Sequence, residues 1–241
     1  MYSEQPVAAS LTESVECLWQ ATRAPGMYTV PPDGCIDIVY SSTTGLSVAG
    51  TMTVEHAFPA TRPDNFEIGL RFRPGMARAF LSPSGTLLSA SELTDRIVPL
   101  EELWGRSGRD ALRHLNDLGS AAACAALLET LLRTPAAKNP VQRALDYASR
   151  NHGSVNLDWI ASQASLSARQ FRRRCLEESG LTPKVLCRIL RFRRARSIAL
   201  AAPCPNWADI AAQTGYSDQA HLIRDFREFT GRTPMAVFSN R

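Results

Sequence analysis

The sequence predicts an α+β fold in which a small antiparallel β barrel or sandwich, followed by helices, precedes an all-α region. Short apolar runs punctuated by Gly and Pro fill residues 15–72, and helical spacing replaces them from residue 74. A duplicated helical pattern begins after residue 140. A chain of 241 residues fits two domains better than one. The predicted division is a domain at 1–134, a linker at 135–140 and a second domain at 141–241.

The first domain opens with strand-like segments. Val15, Cys17 and Trp19 alternate along the chain, as in a strand with one buried face. A Pro-Pro-Asp-Gly turn precedes the apolar run at 35–40. From 74 to 133 the apolar residues recur at three- and four-residue spacing, which predicts helices packed on the strands.

The helix ends are clearly marked in the C-terminal half, where starts carry capping residues and stops carry Gly or Pro. Ser167 with Gln170 forms a capping box. Thr182 precedes Pro183, which is tolerated at the first helical position, and a long helix is expected from there to about Ala202. The other predicted starts are Asn156, Asn206, Ser217 and Thr233.

The same small unit occurs twice in this half. Its first copy contains Ile160, Ala161, Gln163, Ser167, Gly180, Thr182 and Pro183. They recur fifty or fifty-one positions later as Ile210, Ala211, Gln213, Ser217, Gly231, Thr233 and Pro234. Each copy is a short helix, a tight turn and a second helix with a basic exposed face. This pattern predicts a helix-turn-helix that lays its second helix in the major groove of DNA.

The predicted packing leaves polar side chains pointing outward near the start of each second helix. Arginine matches the two acceptors of guanine, and glutamine matches the donor and acceptor of adenine. Trp159 and Trp207 follow capping residues and are predicted to be core residues. The candidate DNA-contacting residues are Ser167, Arg169, Gln170, Arg172, Arg173, Lys184, Arg188, Arg191, Ser217, Gln219, Ala220, His221 and Arg224.

The long helix has the length of a spacer between two recognition helices. About twenty residues span about 30 Å at 1.5 Å each, and one turn of DNA is about 34 Å. One chain could therefore read a bipartite site. Lys184, Arg188 and Arg191 are expected to meet phosphate, whereas arginines on the opposite face should be solvated or paired with the N-terminal domain.

Charge and cysteine usage narrow the class of protein. Residues 140–241 carry 16 Lys or Arg against 8 Asp or Glu, whereas residues 1–139 carry 11 against 15. Only the C-terminal half is therefore expected to meet a polyanion. The six cysteines lie far apart without metal spacing. A reduced, cytoplasmic chain is expected, with no membrane segment, metal or cofactor.

The stretch Gly215–Pro234 resembles the signature of the AraC/XylS family of transcription regulators. The family's fold would extend over about residues 140–240. By this resemblance the outward positions are base readers, and the chain binds promoter or operator DNA to activate or repress transcription. Contact with RNA polymerase is left open.

Two segments, 32–40 and 69–75, resemble an uncharacterised N-terminal domain that accompanies some members of this family. It is similar to cupin-like sensor barrels, which bind a small effector and dimerise through the helices after the barrel. A homodimer is therefore expected, with an effector of unknown identity. Charged residues within strands need a partner, so the first candidates for ligand contact are Asp33, Cys35, Asp37, Arg71 and Arg73.

Two other classes of protein remain open. One is a cysteine-based sensor or alkyl-acceptor enzyme with an appended DNA-binding module, for which Cys35 would be the reactive residue, although the N-terminal half lacks a four-cysteine cluster. The other is a constitutive DNA binder without effector. The leading prediction is a ligand-responsive transcription regulator that is not an enzyme.

Overall fold

The computed structural model describes residues 1–60, 65–81, 88–132 and 137–239. It confirms the α+β fold class, with strands first and helices after them. The strands are β1 Tyr2–Gln5, β2 Val15–Thr22, β3 Gly26–Val30, β4 Ile36–Ser41, β5 Gly45–Ala49, β6 His56–Ala60, β7 Phe66–Phe72 and β8 Ile97–Pro99. Two short 3₁₀ helices span Ala9–Leu11 and Ala90–Leu93.

The α-helices fall into two groups on either side of residues 133–136. The first group is α1 Arg78–Leu81, α2 Leu100–Trp104, α3 Arg106–Leu118 and α4 Ala121–Leu131. The second group is α5 Pro140–Arg150, α6 Leu157–Gln163, α7 Ala168–Ser179, α8 Pro183–Ala201, α9 Trp207–Gln213, α10 Gln219–Thr230 and α11 Pro234–Phe238. None of the helices within the described residues is both long and apolar enough to cross a membrane.

The strands form two antiparallel sheets. One has the order β1-β2-β7-β4-β5-β8, and the other pairs β3 with β6. Among the described residues no backbone strand pairing joins the two sheets, so the arrangement is sandwich-like and does not close into a barrel. One face of the larger sheet is covered by helices, because Leu115 of α3 and Leu128 of α4 share a buried cluster with Ile38 and Leu70.

Strand β2 contains a β-bulge, so Val15, Cys17 and Trp19 do not share one face of the sheet as their alternation predicts. The register against β7 shifts between Val15 and Cys17, and a bulge inserts one unpaired residue that changes which face the later residues occupy. Val15 joins the helix-covered core. Cys17 and Trp19 form a small cluster on the opposite face of the sheet.

Most of the predicted helix starts are confirmed. Ser167 and Gln170 form both bonds of a capping box, and Thr182 caps α8 with Pro183 as its first residue. Asn156, Asn206 and Thr233 also accept backbone N–H groups at helix starts. The prediction for Ser217 is wrong by one residue. Asp218 caps α10 by accepting the N–H of His221, and its negative charge also interacts favourably with the helix dipole.

The two tryptophans of the repeat lie in different environments. Trp207 packs against Phe226 at 5.7 Å between ring centroids, in the C-terminal core as predicted. Trp159 is 47% exposed, which corrects the prediction that it is a core residue. It lies in the first turn of α6 on its outer face, where its one ring contact among the described residues is with Tyr147.

Two separate hydrophobic clusters support two domains. One contains buried residues from 7 to 132 and the other contains buried residues from 141 to 229. Residues 135 and 136 of the predicted linker lie outside the described residues, and Pro140 belongs to α5. The division at 135–140 therefore stays a prediction.

Polar contacts dock the N-terminal domain onto the C-terminal one. The carboxylate of Glu178, which is buried at the end of α7, accepts from Arg78 at 3.3 Å. It also accepts from Asn139 at 3.2 Å and Gln142 at 3.4 Å. Gln142 in turn donates to the carbonyl of Gly75 at 3.3 Å. A buried carboxylate with three donors is well compensated, so this cluster holds the two domains together.

Phe226→Ala is expected to lower the free energy of unfolding by about 3–5 kcal/mol, because it empties a fully buried position among aromatic rings. Urea denaturation followed by circular dichroism measures the loss. The matched control is Trp159→Ala, where the exposed ring should cost less than about 1 kcal/mol. Similar losses for the two variants would contradict the core assignment.

Candidate nucleic-acid interface

The first helix-turn-helix unit consists of α6 and α7. Ala161 is buried where the helices cross, and Phe171 and Cys175 fill the space beneath. These inward positions are four residues apart on α7 and so share one face, which leaves the opposite face of the helix directed outward. Ser167, Arg169, Gln170, Arg172 and Arg173 are all exposed, as the sequence predicts for the reading face.

The second unit, formed by α9 and α10, repeats this arrangement. Ala211 lies buried at the crossing, while Leu222 and Phe226 point inward. The exposed residues at the start of α10 are Ser217, Gln219, Ala220 and Arg224. We call α7 and α10 the reading helices.

Some candidate readers already have local partners. The amide oxygen of Gln170 accepts from the backbone N–H and the hydroxyl of Ser167. His221 is half-buried, with its ring 5.1 Å from that of Tyr216 and its Nδ1 3.2 Å from the hydroxyl of Ser217. Besides these, the exposed candidates on the two reading helices include Gln219 and four arginines: Arg169, Arg172, Arg173 and Arg224.

Arg173 makes only a weak internal pair. Its Nε lies 3.7 Å from Glu177 Oε1, and its side chain is 72% exposed. Exposed pairs of this kind contribute about 0.3–0.5 kcal/mol. The guanidinium can therefore leave Glu177 at little cost to contact another acceptor.

The connecting helix α8 is unbroken over 19 residues. Of its three predicted phosphate contacts, only Lys184 is fully exposed. Arg188 instead points into the second unit, where its Nη2 lies 2.7 Å from Asp225 Oδ1 and 2.5 Å from Glu228 Oε2. The hydrogen bond with Arg188 lowers the pKa of Glu228.

The Arg188 contacts have a structural role that the sequence pattern does not show. Asp225 is only 1% exposed and lies in the middle of α10, between the inward residues Leu222 and Phe226. A carboxylate in that position needs a cation. In the sequence, the sign of this ion pair is Asp225, a charged residue within an otherwise apolar stripe of α10, which requires an arginine or lysine to pack beside it.

Arg191 and Arg193 of α8 contact different parts of the protein: Arg191 lies against the second unit, and Arg193 lies against the N-terminal domain. The Arg191 guanidinium lies 5.7 Å from the ring centroid of Tyr216, and its Nε is buried without a hydrogen-bond partner in the described part of the chain. Arg193 Nη1 donates to Glu16 Oε2 at 3.0 Å. This second contact is the pairing with the N-terminal domain expected of arginines that face away from DNA.

Three of the five candidate ligand contacts come together on the face of the larger sheet opposite the one that α3 and α4 cover. Arg71 Nε lies 3.2 Å from Asp33 Oδ2 and 3.6 Å from Asp37 Oδ1. The indole N–H of Trp19 donates to Asp37 Oδ2 at 2.8 Å. Burial raises the pKa of Asp37 to about 6, against the opposing effect of Arg71. We call these four residues the sheet cluster.

The other two candidates lie at its margins. Arg73 donates to the carbonyl of Thr12 at 3.0 Å and does not join the sheet cluster. Cys35 is buried, its thiol faces Glu16 at 3.8 Å and Arg193 at 3.6 Å, and burial raises its pKa well above the usual value. Sequence reasoning missed Trp19 as a partner of this site, because only the strand register places it beside Arg71 and Asp37.

Comparison with known proteins supports the assignment of the C-terminal part. Residues 160–240 match a family model described as a helix-turn-helix domain. Residues 4–99 match one described as a domain of unknown function. The chain is 33% identical over 87 residues to the HTH-type transcriptional activator RhaS of Escherichia coli, in strains that include HS and K12 / DH10B. This match covers 36% of the chain and 31% of the relative, so the chain spans about a third of that protein's length.

Solved structures of ToxT from Vibrio cholerae are also similar. One matches with a TM-score of 0.49 and 9% identity, covering 98% of this chain and 97% of that chain. Another, from Vibrio cholerae O395, matches with a TM-score of 0.45 and 8% identity, covering 91% and 95%. The resemblance carried by residues 215–234 is confirmed by the family and sequence matches. The C-terminal part is a helix-turn-helix domain of the AraC type, and it is preceded by a domain of unknown function.

Arg188→Gln is expected to destabilise the fold by about 3–5 kcal/mol, because it leaves Asp225 buried without its cation. Adding Asp225→Asn should recover part of that loss, since the carboxylate is then gone. The exposed Lys184→Gln on the same helix is the control and should change the stability by less than about 0.5 kcal/mol. Chemical denaturation of the wild type and the three variants measures these differences. Equal stability of the Arg188 and Lys184 variants would contradict the internal role of Arg188.

Proposed function

Because its C-terminal part is a helix-turn-helix domain of the AraC type, we propose that this protein is a sequence-specific DNA-binding transcription regulator. The observation that carries the proposal is the exposure of both reading faces, on α7 and α10, while the N-terminal domain is docked. The same chain thus presents two surfaces suited to base contact. They are joined by one continuous helix, α8.

The length of α8 supports a bipartite site. Nineteen residues at 1.5 Å each correspond to about 28 Å, close to the roughly 34 Å of one turn of DNA. Two reading helices held at that separation can enter successive major grooves on one face of the duplex. The proposed base readers are Arg169, Arg172 and Arg173 from the first unit and Gln219, His221 and Arg224 from the second.

Charge supplies the sequence-independent part of the affinity. The C-terminal half carries the basic excess of the chain, and exposed Lys184 is placed to meet phosphate. Each such contact releases counterions and makes binding salt-dependent. Arg188 does not belong to this set, because its guanidinium neutralises Asp225 and Glu228.

The N-terminal domain is proposed to bind a small effector at the sheet cluster of Trp19, Asp33, Asp37 and Arg71. Charged and aromatic groups meet there on the sheet face opposite the one that α3 and α4 cover. The proposal has three further parts. The protein dimerises through α3 and α4, it activates transcription through RNA polymerase, and it acts in the cytoplasm. The named relative RhaS is an activator, which supports activation as the sign of regulation.

A cysteine-based chemistry is disfavoured by the surroundings of Cys35. Its thiol is buried and its pKa is raised, whereas a reactive cysteine needs an accessible thiolate. Cys35 is therefore not proposed as a reactive residue, and the proposal is a regulator without an enzymatic step. A constitutive DNA binder without effector is the second candidate, and ligand screening separates it from the first.

Changing Arg173 or Arg224 to Gln should weaken binding to the selected site by about tenfold to a hundredfold, because a good guanine contact contributes about 1–3 kcal/mol. The wild-type site is first obtained by selection from random DNA. Affinity is then measured for that site and for unrelated DNA, and only the first should fall strongly. Exposed Arg227→Gln on α10 is the matched control. Unchanged site preference in both reader variants would contradict these assignments.

Screening the full chain with sugars, amino acids and carboxylic acids should identify compounds that raise its thermal stability. A ligand at about a hundred times its Kd stabilises the bound state by about 2.7 kcal/mol. Arg71→Met should abolish the shift if the compound binds at the sheet cluster, while Arg106→Met, at the exposed start of α3, should retain it. A complete absence of stabilising compounds would favour the constitutive binder.

A further inference from the structure

A six-residue loop between β5 and β6, residues 50–55, contacts the C-terminal domain at two separate places. We call it the bridging loop. It is fixed within its own domain, because the Thr53 N–H and hydroxyl donate to Asp95 at 2.7 and 2.6 Å. At Gly50 a Cβ would lie 1.8 Å from the carbonyl oxygen of Leu93, so the loop is packed tightly against its own domain.

The first contact is with the end of α7. The hydroxyl of fully buried Thr51 donates to the carbonyl of Ser179 at 2.8 Å. Ser179 is the last residue of α7, and the last carbonyls of a helix have no partner within it. Thr94 adds a parallel bond to the carbonyl of Gly180 at 2.9 Å. The N-terminal domain thus caps the first reading helix.

The second contact is with the end of α10. The backbone N–H of Glu55 donates to the carbonyl of Phe229 at 2.6 Å. The Glu55 carboxylate also pairs with Arg232 at 2.6 Å, and its side chain is only 13% exposed. Phe229 lies in the last turn of α10, so the same loop caps the second reading helix as well.

The two capped positions correspond in the repeat to within one residue. With the fifty-one-residue offset, Ser179 matches Thr230, which is the neighbour of Phe229. The bridging loop therefore donates to the last turn of both reading helices. Helix α8 joins the two units covalently, and the loop joins them a second time through the N-terminal domain. A second connection restricts rotations that one connection allows.

We propose that Thr51 and Glu55 are positioning residues for DNA reading, and that the bridging loop sets the spacing and orientation at which the two half-sites are read. This inference rests on the proposed function. The capped ends lie opposite the exposed starts of the helices, where Arg169 and Gln219 lie. The docked loop therefore leaves the readers accessible while it holds the helices that carry them. Because the loop joins β5 to β6, it also links the spacing of the base readers to the conformation of the N-terminal sheets.

The test uses full-length protein and DNA duplexes in which the two selected half-sites are separated by spacers that differ by single base pairs. The wild type should bind best at one spacing. Thr51→Val with Glu55→Gln should reduce the preference for that spacing about tenfold, because the Thr51 hydroxyl bond to Ser179 and the Glu55 ion pair with Arg232 are lost while the backbone bond from Glu55 to Phe229 remains. Binding to a duplex with one half-site should stay unchanged, since each reading face is intact.

Matched variants separate positioning from general damage. Val54→Ala changes an exposed side chain of the same loop and should keep the wild-type spacing profile. Thr51→Ser keeps the hydroxyl and should also keep the wild-type spacing profile. If the double variant does not fold, Arg232→Gln removes the ion pair from the other side and should flatten the profile alone.

A spacing profile within twofold of the wild type in folded Thr51→Val/Glu55→Gln, or in Arg232→Gln, would overturn the inference. That result would leave the proposed function intact, because the wild type would still select a sequence. A wild type without sequence preference would instead contradict the proposed function on which the inference depends.

Discussion

The packing of α8 against both helix-turn-helix units is the constraint on which the rest of the structure depends. Phe192, in the middle of this helix, is fully buried and lies 4.8 Å from Phe226 and 5.2 Å from Phe229 between ring centroids. Leu186, nearer its start, is fully buried in the same core cluster as Phe171 of the first unit. Because the single helix α8 packs in both helix-turn-helix units, the orientations of the two reading helices are coupled.

Burial decides what each arginine does. On α8, Arg188 and Arg193 are engaged by Asp225 and Glu16, which lie in the second unit and in the N-terminal domain. On the reading helices, Arg169 and Arg224 stay exposed. Guanidinium groups beside partly buried carboxylates stabilise the architecture, whereas those in water remain available to an outside polyanion. The basic excess of the C-terminal half is therefore larger than the charge it can offer to DNA.

The docking between the domains includes several buried polar contacts. Glu178 gathers donors from both domains, and the bridging loop supplies donors to helix ends. Hydrogen bonds exchange readily with water, so each contributes a modest net free energy. In the proposed regulator, an effector at the sheet cluster would act on this interface, whose contacts can change without disrupting either apolar core.

The sequence by itself determined the repeat, most of the helix caps and the exposed reading faces, because periodicity and capping are local properties that short segments carry. Ser167 with Gln170 and Thr182 with Pro183 could be read directly. Only the tertiary structure decided the inward turn of Arg188 and the exposure of Trp159. It likewise decided the joining of Thr51 to Ser179 across 128 positions. These depend on which distant groups meet after packing, and a bulge or one buried carboxylate is enough to redirect a side chain.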